Sequence, residues 1–347
     1  MTKKRILTGD RPTGKLHLGH YVGSLKNRVA LQNEYECYFI VADLHTLTTQ
    51  PEKTGELKNN IRQLVLDYLS VGINPEKSTI YIQSQISEVG QLATIFSNLV
   101  TVSRLQRVPT LKDVMSDLEI QNPSFGLLGY PVLQAADILS FRANLVPVGR
   151  DQASHIEVTR EIAREFNRLY PSTPGVEGRL HPRGVGVFPV PEALIGDVPV
   201  LPGTDGKTKM SKSLGNVINL SDDSKTVRKQ VMKMYTDPKR IHGDEPGKVE
   251  ENPVFIYLRA FGQEKHKTKI AELTEKYGKG KVGDVEVKEF LFEVLEEFLT
   301  PIRENRARLE RDPELVERIL KEGTEKARNE AQKTLELVRK TMKIEYF

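Results

Sequence analysis

Short apolar runs alternate with longer stretches of helical period through the first half of the chain. Runs at residues 5–8, 37–42, 79–83 and 145–148 are too short for helices and rich in β-branched and aromatic residues, which predicts strands. Between them, residues 18–33, 53–71, 89–102 and 130–139 repeat apolar positions at intervals of three and four, which predicts helices. Strand and helix in alternation imply βαβ units around a parallel sheet, with ligands at the carboxyl ends of its strands. Residues 171–202 are then rich in Pro and Gly, and a lysine-rich loop follows at 207–213. Beyond it, residues 224–235, 285–305 and 312–343 read as charged amphipathic helices without a strand signal. The expected fold class is α/β: a parallel-sheet domain over residues 1–206, with an embedded helical segment, and a second, all-helical domain over residues 207–347.

Composition fits that division. The 347 residues suffice for two cores, and 38% hydrophobic with 28% charged residues is the balance of a globular protein. No apolar run approaches the roughly 20 residues of a membrane span, and the start of the chain has too few apolar residues for a signal peptide, so a cytoplasmic protein without membrane attachment is expected. A single cysteine, Cys37 in an apolar stretch, reads as a buried thiol and excludes disulfides within the chain, Cys-based zinc sites and iron–sulfur clusters. A net charge of +4 would suit a polyanionic partner but decides nothing alone.

Two stretches carry candidate chemistry. Residues 8–20, TGDRPTGKLHLGH, follow the first strand and open a helix, where backbone N–H groups favour a phosphate. Gly14 and Gly19 permit close approach of a nucleotide, and His17 and His20 supply donors to oxygens that gain charge. The second stretch is Lys209-Met210-Ser211-Lys212-Ser213, whose lysines and hydroxyls could hold a triphosphate and its departing pyrophosphate. Each has a plainer reading alone: cap or surface histidines, and a solvated basic loop.

Together they carry a resemblance. His17-Leu18-Gly19-His20 resembles the first signature of class I aminoacyl-tRNA synthetases, and Lys209 to Ser213 matches the second letter for letter. Cytidylyltransferases share a related His-x-Gly-His element but lack the second. Residues 129–139, GYPVLQAADIL, look like the substrate-pocket helix of tryptophanyl-tRNA synthetases of bacterial type, and steps of four and three put Tyr130, Gln134 and Asp137 on one face. Asp137 there either pairs structurally or accepts a substrate N–H in an apolar pocket. Gly149-Arg150-Asp151-Gln152 and His155-Ile156-Glu157 are similar to the same family, as is the stretch 41–46 with His45 as pocket wall.

The resemblance spans nearly the whole chain, weakens after about Lys265, and implies a Rossmann-like catalytic domain followed by a helical domain that reads the tRNA anticodon. It implies that His17, His20, Lys209 and Lys212 stabilise charge in catalysis. The ATP site it implies takes Arg11, Pro12, Thr13, Gly19 and His20 from the first signature, Gly149, Arg150, Asp151 and Val200 from the middle, and Lys209, Met210, Ser211, Lys212 and Ser213 from the second. Leu7, His45, Tyr130, Gln134, Asp137 and Gln152 would form the tryptophan pocket, with Tyr130 and Gln152 at the amino group and Asp151 by the nucleotide. His155 and Glu157 read as helix residues that orient neighbours. His20 and Arg11 stand where many bacterial members have Asn and Gln, and Lys112 is the nearest candidate for a phosphate-binding lysine the family commonly carries near the position of Val114. The implied reaction joins L-tryptophan to Mg2+-bound ATP, releases pyrophosphate and charges tRNA(Trp), in a homodimer. Tyrosyl-tRNA synthetase is the alternative within this architecture. A non-catalytic RNA-binding or regulatory relative is the alternative outside it, and would be expected to have lost part of these signatures.

Overall fold

A computed structural model describes residues 3–117, 119–149, 153–171, 186–195, 201–206, 208–236, 240 and 245–346. Its five strands are β1 Arg5–Asp10, β2 Glu36–Val41, β3 Ser78–Ile82, β4 Leu145–Val148 and β5 Glu192–Ile195. They form one parallel sheet in the order β3-β2-β1-β4-β5. The chain winds outward from β1 through β2 to β3, then crosses back to start β4 on the other side. That reversal opens a crevice at the carboxyl ends of β1 and β4, where ligands of such sheets bind.

β2 shows why the strands were legible. Cys37, Phe39 and Val41 enter one apolar cluster, while Tyr38 and Ile40 enter the other. Both faces are covered, so the strand is a continuous apolar run rather than an alternating one. On the first face lie Leu64, Val65 and Tyr68 of the helix Thr54–Ser70, joined by Phe255, Leu258, Leu291 and Leu295 from the helical second half. On the second lie the helices Ser87–Ser97, Phe125–Ser140 and Ala153–Leu169. The final helix, Leu315–Met342, also packs here through Ala327, Ala331, Leu335 and Val338. Thr324 Oγ1 in that helix accepts the Ile82 N–H at 3.3 Å, and Glu330 accepts from Arg5 at 2.9 Å.

The α/β class and Rossmann-like parallel sheet expected from the sequence are present, and only helices follow β5 among the described residues. Several boundaries differ. The expected helix at 18–33 is Leu18–Leu31 in three pieces, because a π-turn at Tyr21–Leu25 widens its middle. The expected helix at 89–102 ends at Ser97, and a short helix Val102–Leu105 starts on Thr101, whose hydroxyl accepts the Arg104 N–H. β5 was not expected and lies inside the Pro- and Gly-rich stretch. Cys37 is a buried free thiol, pushed up to about 11 by that burial. Among the described residues, no helix is long and apolar enough to cross a membrane.

Candidate active site

A cavity of about 1320 Å³ opens at the carboxyl ends of β1 and β4. Among its lining residues are Leu7 within β1 and Arg11 just after it, Gly19 and His20 of the first signature, Tyr130 and Asp137 of the helix Phe125–Ser140, and Lys209 and Met210 of the second signature. His17, His45, Gln134 and Gly149 line it as well.

The end of the cavity around Asp137 is built on helices and the turn after β3. Asp137 is 2% exposed, on the buried face of Phe125–Ser140. Its Oδ2 accepts two hydrogen bonds, from His45 Nε2–H at 2.9 Å and from Gln83 Nε2 at 2.8 Å. Its Oδ1 is buried with no hydrogen-bond partner. Burial pushes the Asp137 carboxyl above its ordinary range, against the two donors that favour its charged form. One oxygen thus fixes the carboxylate while the other keeps an acceptor for a guest. Tyr130 OH lies 2.6 Å from His155 Nε2, so His155 orients the phenol, and Tyr130 is pushed up to about 12, chiefly by burial.

The end of the cavity around the two signatures is built largely from loops. The His17 N–H donates to His20 Nδ1 at 3.2 Å, which leaves His20 Nε2–H as the donor facing outward. Burial, helped for His17 by its neighbour His20 and by Lys212, pushes His17 down to about 3. Burial also brings His20 down to about 4, with Lys212 and Arg28 adding to it and Asp10 opposing. Both imidazoles are therefore neutral at neutral pH and can donate without carrying charge. A Cβ on Gly19 would stand 3.0 Å from the His17 ring and 3.1 Å from Met210 Sδ, so any larger residue would have to push these side chains aside. Through that gap the second signature reaches the first: the Gly19 N–H meets Met210 Sδ at 3.2 Å.

Asn216 holds the lysine loop in place. It is 4% exposed; its Oδ1 accepts the Ser211 N–H at 2.7 Å, and its Nδ2 reaches Asp205, Thr208 and the Lys209 carbonyl. The chain after it pairs with the first signature, through Leu18 N–H to Ile218 O and Leu220 N–H to Leu16 O, both at 2.9 Å. Lys212 Nζ donates to the Thr13 carbonyl at 3.1 Å, and burial lowers its affinity for a proton. Lys212 and Thr13 thus meet at the rim, and Pro12 is buried between Arg11 and Thr13. Ser213 lies in the 3-10 turn Lys212–Leu214. The arrangement offers neutral donors and loop-borne cations at one end, and a shaped acceptor at the other.

The family profile described as tRNA synthetases class I (W and Y) matches residues 2–300. The chain belongs to that family. Among relatives, the tryptophan–tRNA ligase of Treponema pallidum is 53% identical over 97% of this chain and 96% of its own length. That of Streptococcus mutans is 50% identical over the full length of both chains. Among solved structures, the tryptophanyl-tRNA synthetase of Campylobacter jejuni complexed with ADP and tryptophan superposes with a TM-score of 0.82 at 33% identity, covering 97% of this chain and 99% of that one.

In this class I synthetase, Arg150, Asp151, Gln152 and Val200 lie outside the described residues. Of the other site residues expected from the sequence, Leu7, Arg11, His17, Gly19, His20, His45, Tyr130, Gln134, Asp137, Gly149, Lys209 and Met210 line the cavity, whereas Pro12, Thr13, Ser211, Lys212 and Ser213 are not among its lining residues. Lys112 is not among the residues that line the cavity, whereas Val114 is. Sequence reasoning missed Gln83, which is fully buried and donates to Asp137 across 54 positions of the chain. It also passed over Arg28 and Tyr68, which hold Asp10 beneath His20. Arg28 offsets the burial that would raise the Asp10 carboxyl and brings it down to about 2. Nothing local in residues 25–33, which also include Lys26, Asn27, Gln32 and Asn33, marks Arg28 as buried.

Proposed function

We propose that this synthetase activates L-tryptophan with ATP to tryptophanyl-adenylate, releases pyrophosphate, and transfers the tryptophanyl group to the 3′ end of tRNA(Trp). The observation that carries the choice of amino acid is Asp137. It is a buried carboxylate with one oxygen committed to His45 and Gln83 and the other unpartnered, in the wall of the cavity that also holds both signatures. Indole offers one donor and no acceptor, which complements such a site.

The tryptophan carboxylate attacks the α-phosphorus of ATP, so no side-chain nucleophile is required. In this reading Tyr130 and Gln152 meet the amino group, while Leu7, His45 and Gln134 wall the ring. Arg11, Gly149 and Asp151 flank the nucleotide. His17 and His20 donate to phosphate oxygens, and Lys209 and Lys212 follow the pyrophosphate as it leaves. Mg2+ arrives on the ATP phosphates as part of the substrate. Residues 1–206 form the adenylate, and residues 207–347 bring the lysine loop and the helices that recognise tRNA. A homodimer in the cytoplasm completes the reading. ATP–pyrophosphate exchange, run separately with tryptophan and tyrosine, tests it: exchange is expected with tryptophan, and preference for tyrosine would overturn it.

A further inference from the structure

The loop of residues 10–16, which joins β1 to the first signature, is held at both ends by consecutive residues of one helix. At its start, Tyr68 OH donates to Asp10 Oδ2 at 2.6 Å, and Arg28 donates to both Asp10 oxygens at 2.6 and 3.3 Å. At its finish, the Leu16 N–H donates to Asp67 Oδ2 at 2.7 Å. Neighbours on a helix diverge by about 100°, which lets Asp67 and Tyr68 reach the two ends of the same loop.

Asp67 has no exposed surface, and a carboxylate so buried needs a partner. Its partner comes from the helical half of the chain: Oδ1 accepts from Arg306 Nη1, on the helix Asp284–Leu309, 239 positions away. Arg306 is itself 5% exposed and is aimed by Gln63 and by Glu310, whose Oε1 accepts at 3.0 Å. A buried ion pair is a poor device for stability alone, since desolvation cancels much of its attraction. What it does well is fix a position. Behind the loop lies a second cavity, of about 620 Å³, lined among others by Gly14, Lys15, Asn60, Gln63 and Arg306. Leu16 itself is packed in the core, whereas Gly14 and Lys15 border this cavity, so polar links add to the packing that places the loop.

We propose that Asp67 and Arg306 are positioning residues for adenylate formation, which set the Leu16 peptide, and with it His17 and Thr13, according to where the helix Asp284–Leu309 lies. Leu16 is the last residue before His17, and its carbonyl is tied to Leu220 beyond the lysine loop. One peptide thus joins both signatures to the helical half, and the Asp67–Arg306 pair is the buried charged link by which rearrangement of that half reaches the phosphate site, beside the packing of Phe298 on Tyr21. This rests on the reaction proposed above.

Full-length protein carrying Arg306→Lys, Arg306→Gln, or Asp67→Asn together with Arg306→Gln tests it. Two quantities are compared with the parent: kcat for tryptophan-dependent pyrophosphate exchange, and the Kd for tryptophan without ATP, by calorimetry. A displacement of about 1 Å in a reacting geometry costs up to on the order of 100-fold. The two Gln-bearing variants should lose about 10-fold or more in kcat, and Arg306→Lys about threefold, each with a tryptophan Kd within about twofold of the parent. Arg306→Lys keeps a cation beside Asp67, so it folds even where the neutral variants do not, and its threefold loss then decides. Parental kcat in the folded variants, or tryptophan affinity falling in step with kcat, overturns the proposal. Exchange by the parent itself checks the reaction, and only the ratio of variant to parent checks the positioning.

Discussion

The two ends of the cavity solve different problems. At the amino-acid end, Asp137, His45, Gln83 and Tyr130 sit on buried elements, and their hydrogen bonds run between side chains fixed before any ligand arrives. At the nucleotide end, Gly19, Met210, Thr13 and Lys212 meet through loop contacts, and the lysines stand at the rim. Choosing among amino acids requires an acceptor whose desolvation is already complete, so that a wrong guest leaves it unpaired. Accelerating the reaction requires contacts that strengthen only as charge moves to the leaving group. Rigid placement serves the first, adjustable cations the second.

The contrast is broken most severely at the lysines. Lys209→Ala and Lys212→Ala are each expected to raise the barrier to activation by about 2.7 to 4 kcal/mol, the scale of a lost oxyanion donor, with tryptophan binding near the parent's. Single-turnover adenylate formation measures this; parental rates in both variants would leave a merely solvated loop. At the other end, Asp137→Ala removes a charge-assisted bond of roughly 1.5 to 3 kcal/mol, about 10- to 100-fold in kcat/KM for tryptophan, with the KM for ATP unchanged. Asp137→Asn should be milder because an amide oxygen still accepts. Exchange rates for tryptophan, tyrosine and phenylalanine should converge in Asp137→Ala, and unchanged selectivity would remove Asp137 from its role.

Smaller effects sharpen the comparison. Neutral donors at His17 and His20 imply that His20→Asn keeps much of the activity, while His20→Ala loses one hydrogen bond, about 0.5 to 1.5 kcal/mol or up to roughly tenfold in kcat. Equal, near-complete loss in both would point instead to proton transfer. The remaining effect is on stability. Folded pKa values of about 3 and 4 for His17 and His20 lie below the ordinary histidine value, so the unfolded chain binds more protons as pH falls. Their contribution is complete above about pH 6.5 and is lost as pH drops towards about 4. The melting temperature should decline through that window, and His20→Asn should flatten the decline. A melting temperature independent of pH there would mean that the histidines are not buried as described.

How much was legible in the sequence follows from how local each cause is. β1 to β4 announced themselves because strands covered on both faces carry short apolar runs, Ile6-Leu7 in β1 and residues 37–41 in β2 among them. β5 did not: it is an edge strand with Glu192, Leu194 and Ile195 exposed, and it leaves no such run. The π-turn at Tyr21–Leu25 was hidden because one extra residue in a turn barely alters an apolar period of three and four. In the site, the two signatures and the Tyr130, Gln134, Asp137 face could be read from adjacent residues and helical spacing. Gln83 and the Asp67–Arg306 pair could not, since their partners lie 54 and 239 positions away and each looks locally like an ordinary polar residue on a helix or after a strand.

The helix Leu315–Met342 covers a strand that is made long before it. Gly323 lies so close to β3 that a Cβ there would fall 2.0 Å from the Ile80 carbonyl oxygen, so Leu315–Met342 is seated directly on strand backbone. During synthesis on the ribosome, β3 is made more than two hundred residues before the helix that covers it. The nascent chain therefore carries one flank of its sheet uncovered until its final turn emerges, and a chain halted or clipped near residue 300 would keep that flank open to pairing with other chains.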